Sequence, residues 1–241
     1  MRHHLLAAAA LSALSLTACS EGHAESAGPA VSRTYQVANF SGIEVSGPFD
    51  VKVATGKAIS VAARGPQKLL DETEVTVEGG KLVIRPKRKG WFGGMNWGSN
   101  DPAVFNVTVP SLESVAVAGS GDVDVDRIAG ERFRGNVAGS GDLRLPQVAV
   151  TDLGLSIAGS GGIKAAGQAQ QARYEIAGSG DVDASGLRST DASADIAGSG
   201  SIRAQVTGTA KASIAGSGDI DIRGGARCQS SKHGSGDIRC S

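Results

Sequence analysis

The chain has 241 residues, of which 24 are basic and 24 acidic, so the formal net charge is zero, and the basic residues are spread along it. That argues against a nucleic-acid-binding surface, which concentrates Lys and Arg in one patch or stripe. Beyond residue 18 no apolar stretch is long enough to span a bilayer, and the remaining length suits one elongated domain.

Residues 1–18 read as a secretion signal. Arg2 supplies the positive start, and Leu5–Leu16 is a 12-residue apolar run, too short to cross a membrane. Leu16-Thr17-Ala18-Cys19 then resembles the bacterial lipobox at all four positions. The resemblance implies cleavage before Cys19, lipidation of its thiol and amine, and membrane association through that anchor. Ser20 follows, where Asp would disfavour outer-membrane sorting. The implied location is the bacterial cell envelope, as an outer-membrane lipoprotein facing periplasm or surface. The alternative is an ordinary signal peptide with a chance cysteine. Residues 19–32 are polar and rich in Gly, Ala and Ser. They are expected to form a flexible tether, with His23 solvated.

Residues 33–241 are expected to form one all-β domain. In 33–110 the strand signals are Ile43/Val45, Val51/Val53, Ile59/Val61, Val75/Val77, Leu82/Ile84 and Val104/Val107/Val109. Ile43-Glu-Val45-Ser-Gly47-Pro-Phe-Asp50-Val51-Lys-Val53 aligns with Val115-Ala-Val117-Ala-Gly119-Ser-Gly-Asp122-Val123-Asp-Val125 further on. This half is therefore read as atypical first coils of a solenoid, as end coils tend to be. A separate small β-sandwich is the alternative. Residues 87–101 interrupt it as a long loop without strand or helix period. Lys87, Arg88, Lys89, Trp91, Phe92 and Trp97 gather there. They are the candidate contact for a ligand or membrane, since aromatic faces stack on sugars and Trp with Lys or Arg suits a membrane interface. Alternatively the aromatics cover an apolar flank.

Residues 111–241 carry the regular repeat. The phrase Val/Ile-Ala-Gly-Ser-Gly recurs with its first glycine at 119, 139, 159, 178, 198 and 216, followed by Asp except at Gly162 and Ser201, and a worn copy has it at 234. A fixed period of 18–20 residues is the signature of a solenoid. Apolar residues two apart flank each phrase and mark short strands, and Gly-Ser-Gly provides the corner. One coil is expected to run strand, corner, strand, corner. Aligning the coils places Phe133, Leu153, Ala172, Ala192, Ala210 and Cys228 in one inward column. Val125, Leu145, Ala165, Ala184, Ala204, Ile222 and Cys240 form another. The middle of the core is expected to be thin and alanine-lined, without a ligand cavity. Outward, Ser and Asp form ladders. Two residues beyond the Asp, the column Asp124, Arg144, Lys164, Asp183, Arg203, Asp221, Arg239 mostly alternates in sign, which supports stacking and opposes register slips.

Cys228 and Cys240 flank the last coil in the two inward columns and read as a disulfide in an oxidising envelope. Two buried free thiols are the alternative. His233 is the domain's one histidine, so no Ser-His-Asp or Cys-His set can be built, and no catalytic residue, cofactor or metal is assigned. The Asp residues are read as bonding nearby backbone N–H groups. A weak cation at Asp219 and Asp237 stays open.

The lipobox, the opening Phe40-Ser-Gly-Ile-Glu-Val-Ser-Gly-Pro-Phe-Asp-Val-Lys-Val53 and the serial Gly-Ser-Gly-Asp coils resemble the putative auto-transporter adhesin, head GIN domain family, over about residues 37–240. That resemblance implies a right-handed β-solenoid on a bacterial envelope and carries no catalytic residues. The expected function is a non-enzymatic envelope lipoprotein presenting a rigid solenoid for adhesion, surface interaction or scaffolding. An envelope glycan or surface protein is the ligand class, with no nucleic acid. The alternative is a polysaccharide-active β-helix enzyme or a carbohydrate-binding module. A cation-binding or ice-facing solenoid ranks third.

Overall fold

The computed structural model describes residues 28–87 and 103–241. They form a β-solenoid of about six turns with almost no helix. The regular coils are β10 (Ile128–Gly139), β11 (Asp142–Gly159), β12 (Gly162–Gly178), β13 (Asp181–Gly198) and β14 (Ser201–Gly216), paired in parallel. From β11 on, each is one long strand running from one Gly-Ser-Gly corner to the next, while β10 starts part-way round its coil. The expectation of two straight runs per coil is corrected. In β11 the burial alternation breaks at 146–147 and again at 151–152, leaving three inward runs: Leu143/Leu145, Val148/Val150 and Leu153/Leu155/Ile157. Each coil therefore has three outer faces. The shortened coil, β14, loses its residues on the middle run, between the shifts at Ala184/Arg188 and Ser189/Asp191. The corner and the third run stay in register.

The first inward column stacks as aligned: Phe133 on Leu153, Ala172, Ala192, Ala210 and Cys228. The alanine-lined middle is not simply thin. Tyr174, fully buried, fills it between Leu155 and Ala194. Phe133 has Gly135 beside it in the next inward column, and Tyr174 has Ala172, so a large residue in one column meets a small one in the other. In β13 and β14 both columns hold alanine, Ala192 with Ala194 and Ala210 with Ala212.

At the N-terminal end the chain doubles back. β2 (Gly42–Ser46) and β3 (Phe49–Thr55) lie in parallel register on β8 (Ser114–Gly119) and β9 (Val123–Val125), with Ile43 opposite Val115 and Val51 opposite Val123. On their other side lie β6 (Lys81–Pro86) and β7 (Ala103–Val109), also parallel. Ile84 matches Val45 and Ala103 matches Phe49. Residues 85–102 thus connect strands that every other coil joins through a tight corner. β4 (Ser60–Pro66) pairs antiparallel with β7, β1 (Ala30–Tyr35) with β4, and β5 (Thr73–Glu78) with β6. These antiparallel strands occupy the edges that another coil would need. The short helix α1 (Gln67–Asp71) buries Leu69 and Leu70 there. Neither α1 nor β1 is marked in the sequence. Residues 30–32 belong to β1, so the tether cannot extend to 32. In β7 the inward set is Ala103, Phe105, Val107 and Val109, with Val104 on the other face.

Candidate functional site

The Gly-Ser-Gly corners use their two glycines for different reasons. The first has φ between 130° and 143° in all seven copies, a region that side chains resist. The second, buried, is excluded from bearing a Cβ by its neighbour: that atom would stand 1.7–2.4 Å from a backbone oxygen of the preceding coil. The serine between them is exposed in every copy. An equally exposed column of alanines (Ala118, Ala138, Ala158, Ala177, Ala197, Ala215) runs beside it, so the ridge holds one hydroxyl column.

The Asp ladder bonds backbone, one coil away rather than locally. Oδ1 of Asp50, Asp122, Asp142, Asp181 and Asp219 accepts the N–H of Asp122, Asp142, Gly162, Ser201 and Asp237 respectively, at 2.9–3.2 Å. Asp237 pairs with Arg239 at 3.2 Å. The two carboxylates considered for a cation are thus engaged, and no group of three or more potential metal ligands lies together among the described residues.

The charged column is in the expected register from Asp124 through Arg239. Arg144 is its hub, reaching Asp122 at 3.0 Å, Asp142 at 3.0 Å and Asp124 at 3.5 Å. Asp221 pairs within its own coil, with Arg223 at 2.8 Å. Asp183 accepts both the hydroxyl and the backbone N–H of Ser185. Those bonds, with the charges of Lys164 and Arg203, hold its carboxyl below the usual range.

Cys19, Arg88, Lys89, Trp91, Phe92 and Trp97 lie outside the described residues. Lys87 is tied to α1: its backbone N–H donates to Glu72 O at 2.9 Å and its ammonium to Asp71 O. Cys228 and Cys240 are joined as a disulfide, with Cα atoms 6.5 Å apart. Cys228 is half-buried and Cys240 exposed.

Two long depressions, not legible in the sequence, mark the outer faces. One, of about 650 Å³, spans β3, β7, β9, β11 and β12, with Lys52, Arg144 and Lys164 along it and Ala54, Pro146 and Ala166 among its lining. The other, of about 700 Å³, lies on the third run of β10–β14 and is rich in polar side chains, among them Arg134, Asn136, Asp152, Arg173, Asp191 and Lys211. Asp152 and Asp191 stand two coils apart with Gln171 between them. Asp152 and Asp191 are therefore spaced along the axis, and Glu175, the third acid of the groove, lies 3.8 Å from Arg173.

The family model described as "Putative auto-transporter adhesin, head GIN domain" matches residues 39–226. The chain belongs to this family. Solved structures share the fold of this head GIN domain. One described as a putative adhesin from Bacteroides fragilis NCTC 9343 is 22% identical with a TM-score of 0.78, covering 88% of this chain and 97% of that one. Another, described as a putative lipid binding protein from Parabacteroides distasonis ATCC 8503, is 25% identical with a TM-score of 0.71, covering 89% and 97%. A putative adhesin from the same Parabacteroides strain is 22% identical with a TM-score of 0.66, covering 89% and 98%. No curated protein matches the chain.

Proposed function

We propose that this head GIN domain protein is a non-enzymatic lipoprotein of the bacterial outer membrane that presents its solenoid as a rigid adhesive surface. Family membership supports the adhesive role, and the lipobox ending at Cys19 supports the anchor. The observation that carries the reading is the long polar groove across β10–β14, whose side chains face outward on a backbone locked coil to coil. A rigid row of polar groups loses little entropy on engaging a partner. Two measurements test it. Cys19→Ala should move the protein from the membrane to the soluble fraction without changing its melting temperature. The purified protein should capture envelope fragments or intact cells from suspension, and failure of that capture would sink the adhesive role.

A second reading rests on the depression along Lys52 and Lys164, two exposed lysines beside aliphatic lining, and on the relative described as a putative lipid binding protein. It requires co-sedimentation with anionic vesicles that Lys52→Ser with Lys164→Ser abolishes.

A further inference from the structure

Building on the adhesive reading, we infer that the polar groove on the third face binds an extended acidic polysaccharide lying along the solenoid axis, one sugar ring per coil, with one acidic group in every second ring.

The argument starts from one hydrogen-bonded column. Ser114, Arg134, Gly154, Arg173, Ser193, Lys211 and Gln229 stack directly on one another. A cation therefore recurs at every second coil, separated by a small or neutral residue. Adjacent coils are about 4.8 Å apart, so the cations repeat at about 9.6 Å. An extended β-linked polysaccharide advances by nearly one coil spacing per ring, and a disaccharide repeat by two. The flanking column runs Arg132, Asp152, Gln171, Asp191 and Thr209, so its carboxylates fall on the coils that lack the cation. Asp152 lies 4.0 Å from Arg132, Asp191 accepts the Thr209 N–H at 2.9 Å through one oxygen, and Glu175 lines the groove on Arg173's own coil. Carboxylates and amides accept and donate to ring hydroxyls, while Arg and Lys take an acidic substituent.

Avoidance of like-charged neighbours explains the alternation by itself. It does not explain the depression of about 700 Å³. Arg144, on another face, is held by three carboxylates. Among the described residues, Arg134 donates to the Phe133 carbonyl at 3.3 Å, and neither it nor Lys211 has a carboxylate within 4.0 Å. Arg173 donates to Ser193 Oγ at 3.4 Å and has exposed Glu175 at 3.8 Å. At Gly154 a Cβ would stand 2.8 Å from Arg134 Cδ, so the arginine stem lies across the glycine. No aromatic residue lines the groove. Each ring is therefore held by hydrogen bonds and charge alone, and affinity must accumulate along the polymer.

The test uses the full-length protein in detergent and three polymers on a biosensor. These are hyaluronan, with one carboxylate per disaccharide, polygalacturonate, with one on every ring, and a neutral β-linked glucan. Long hyaluronan is expected to bind, with a tetrasaccharide weaker by at least about tenfold. Arg134→Ser, Arg173→Ser and Lys211→Ser together should weaken long hyaluronan by about tenfold or more at unchanged melting temperature. Lys52→Ser with Lys164→Ser should leave it within about twofold. Equal binding of polygalacturonate, or an equal loss in the Lys52/Lys164 variant, would reduce the effect to unspecific charge and overturn the inference. A protein that captures envelope material but ignores all three polymers would overturn the inference and leave the adhesive reading standing.

Discussion

Asp142 Oδ1 accepts the backbone N–H of Gly162 at 3.0 Å, and Gly162 is the residue that holds Asp142's own place one coil later. The same carboxylate takes Arg144 at 3.0 Å through its other oxygen. One side chain thus closes the backbone of the corner above it and fixes a charge on the adjoining face. Asp142→Ala should lower stability by about 1 kcal/mol, the usual worth of such a bond when half exposed. Asp142→Asn should lose less, because the amide oxygen still accepts. Among the described residues no backbone N–H donates to the Asp237 carboxylate, so Asp237→Ala should stay within about 0.5 kcal/mol of wild type. Urea midpoints for the three variants check this; a loss at Asp237 as large as at Asp142 would refute the ladder as the source of stability.

The corner glycines give a sharper contrast. At Gly161 a Cβ would lie 2.2 Å from the Gly141 carbonyl oxygen, with no flexible side chain to move aside. Gly161→Ala should cost about 1–3 kcal/mol or prevent folding. Ser160, its exposed neighbour, should tolerate Ala within about 0.5 kcal/mol. Thermal melts of the pair decide it, and a stable Gly161→Ala protein would mean that the corner backbone is free to open.

The repeat was legible because each coil obeys the same local rules. The positive φ of Gly139 needs glycine, inward Leu143 and Leu145 alternate with polar neighbours, and Asp124 opposite Arg144 sets the register. The three-sided coil was not legible, because the run holding Val148 and Val150 shrinks to Val206 alone in β14 and breaks the column count. Helix α1 is short and has no side-chain cap, so it leaves no start signal of the usual kind. β1 is only half buried, which weakens its alternation. Both belong to the end cap, where one strand pairing replaces the repeat. The groove on the third face escaped notice for another reason. Arg134 and Arg173 are 39 positions apart in sequence, and only stacking through Gly154 puts them in one line.

Tyr174 carries a hydroxyl into the interior that has no hydrogen-bond partner within normal range. Burial pushes its ionisation well above the ordinary tyrosine value. The folded state therefore holds this phenol neutral. That contribution to stability is complete below the unfolded pKa of about 10 and is lost as pH rises beyond it. Tyr174→Phe should leave stability at pH 7 within about 1 kcal/mol, since the hydroxyl faces Ser189 without a hydrogen bond of normal geometry. Above about pH 10 wild type should lose stability faster than the variant. Tyr35, also raised by burial, keeps a residual alkaline loss in both. Parallel stability curves from pH 7 to 11 would show that the phenol is reached by water.

The C-terminal end is closed by different means from the N-terminal one. In the last coil, on β16 (Arg227–Gly234), the inward columns that hold Ala210, Ala212 and Ile214 below become Cys228, Ser230 and Lys232. The apolar face is thus replaced by a half-cystine, a hydroxyl and a charge, and the disulfide to Cys240 fastens the coil to β17 (Ile238–Cys240). An inward charge on an edge strand discourages another chain from stacking on it. Cys228→Ser with Cys240→Ser should cost at most about 3 kcal/mol for a loop of this length. Hydrogen exchange should show the loss in β16 and β17 while β10–β14 stay protected. Adding Lys232→Ile to that variant restores an apolar column on an unclosed edge. The triple variant should then associate end to end, read as a concentration-dependent dimer by sedimentation, while Lys232→Ile with the disulfide intact stays monomeric. A triple variant that remains monomeric at every concentration would show that neither the charge nor the disulfide acts as the stopper.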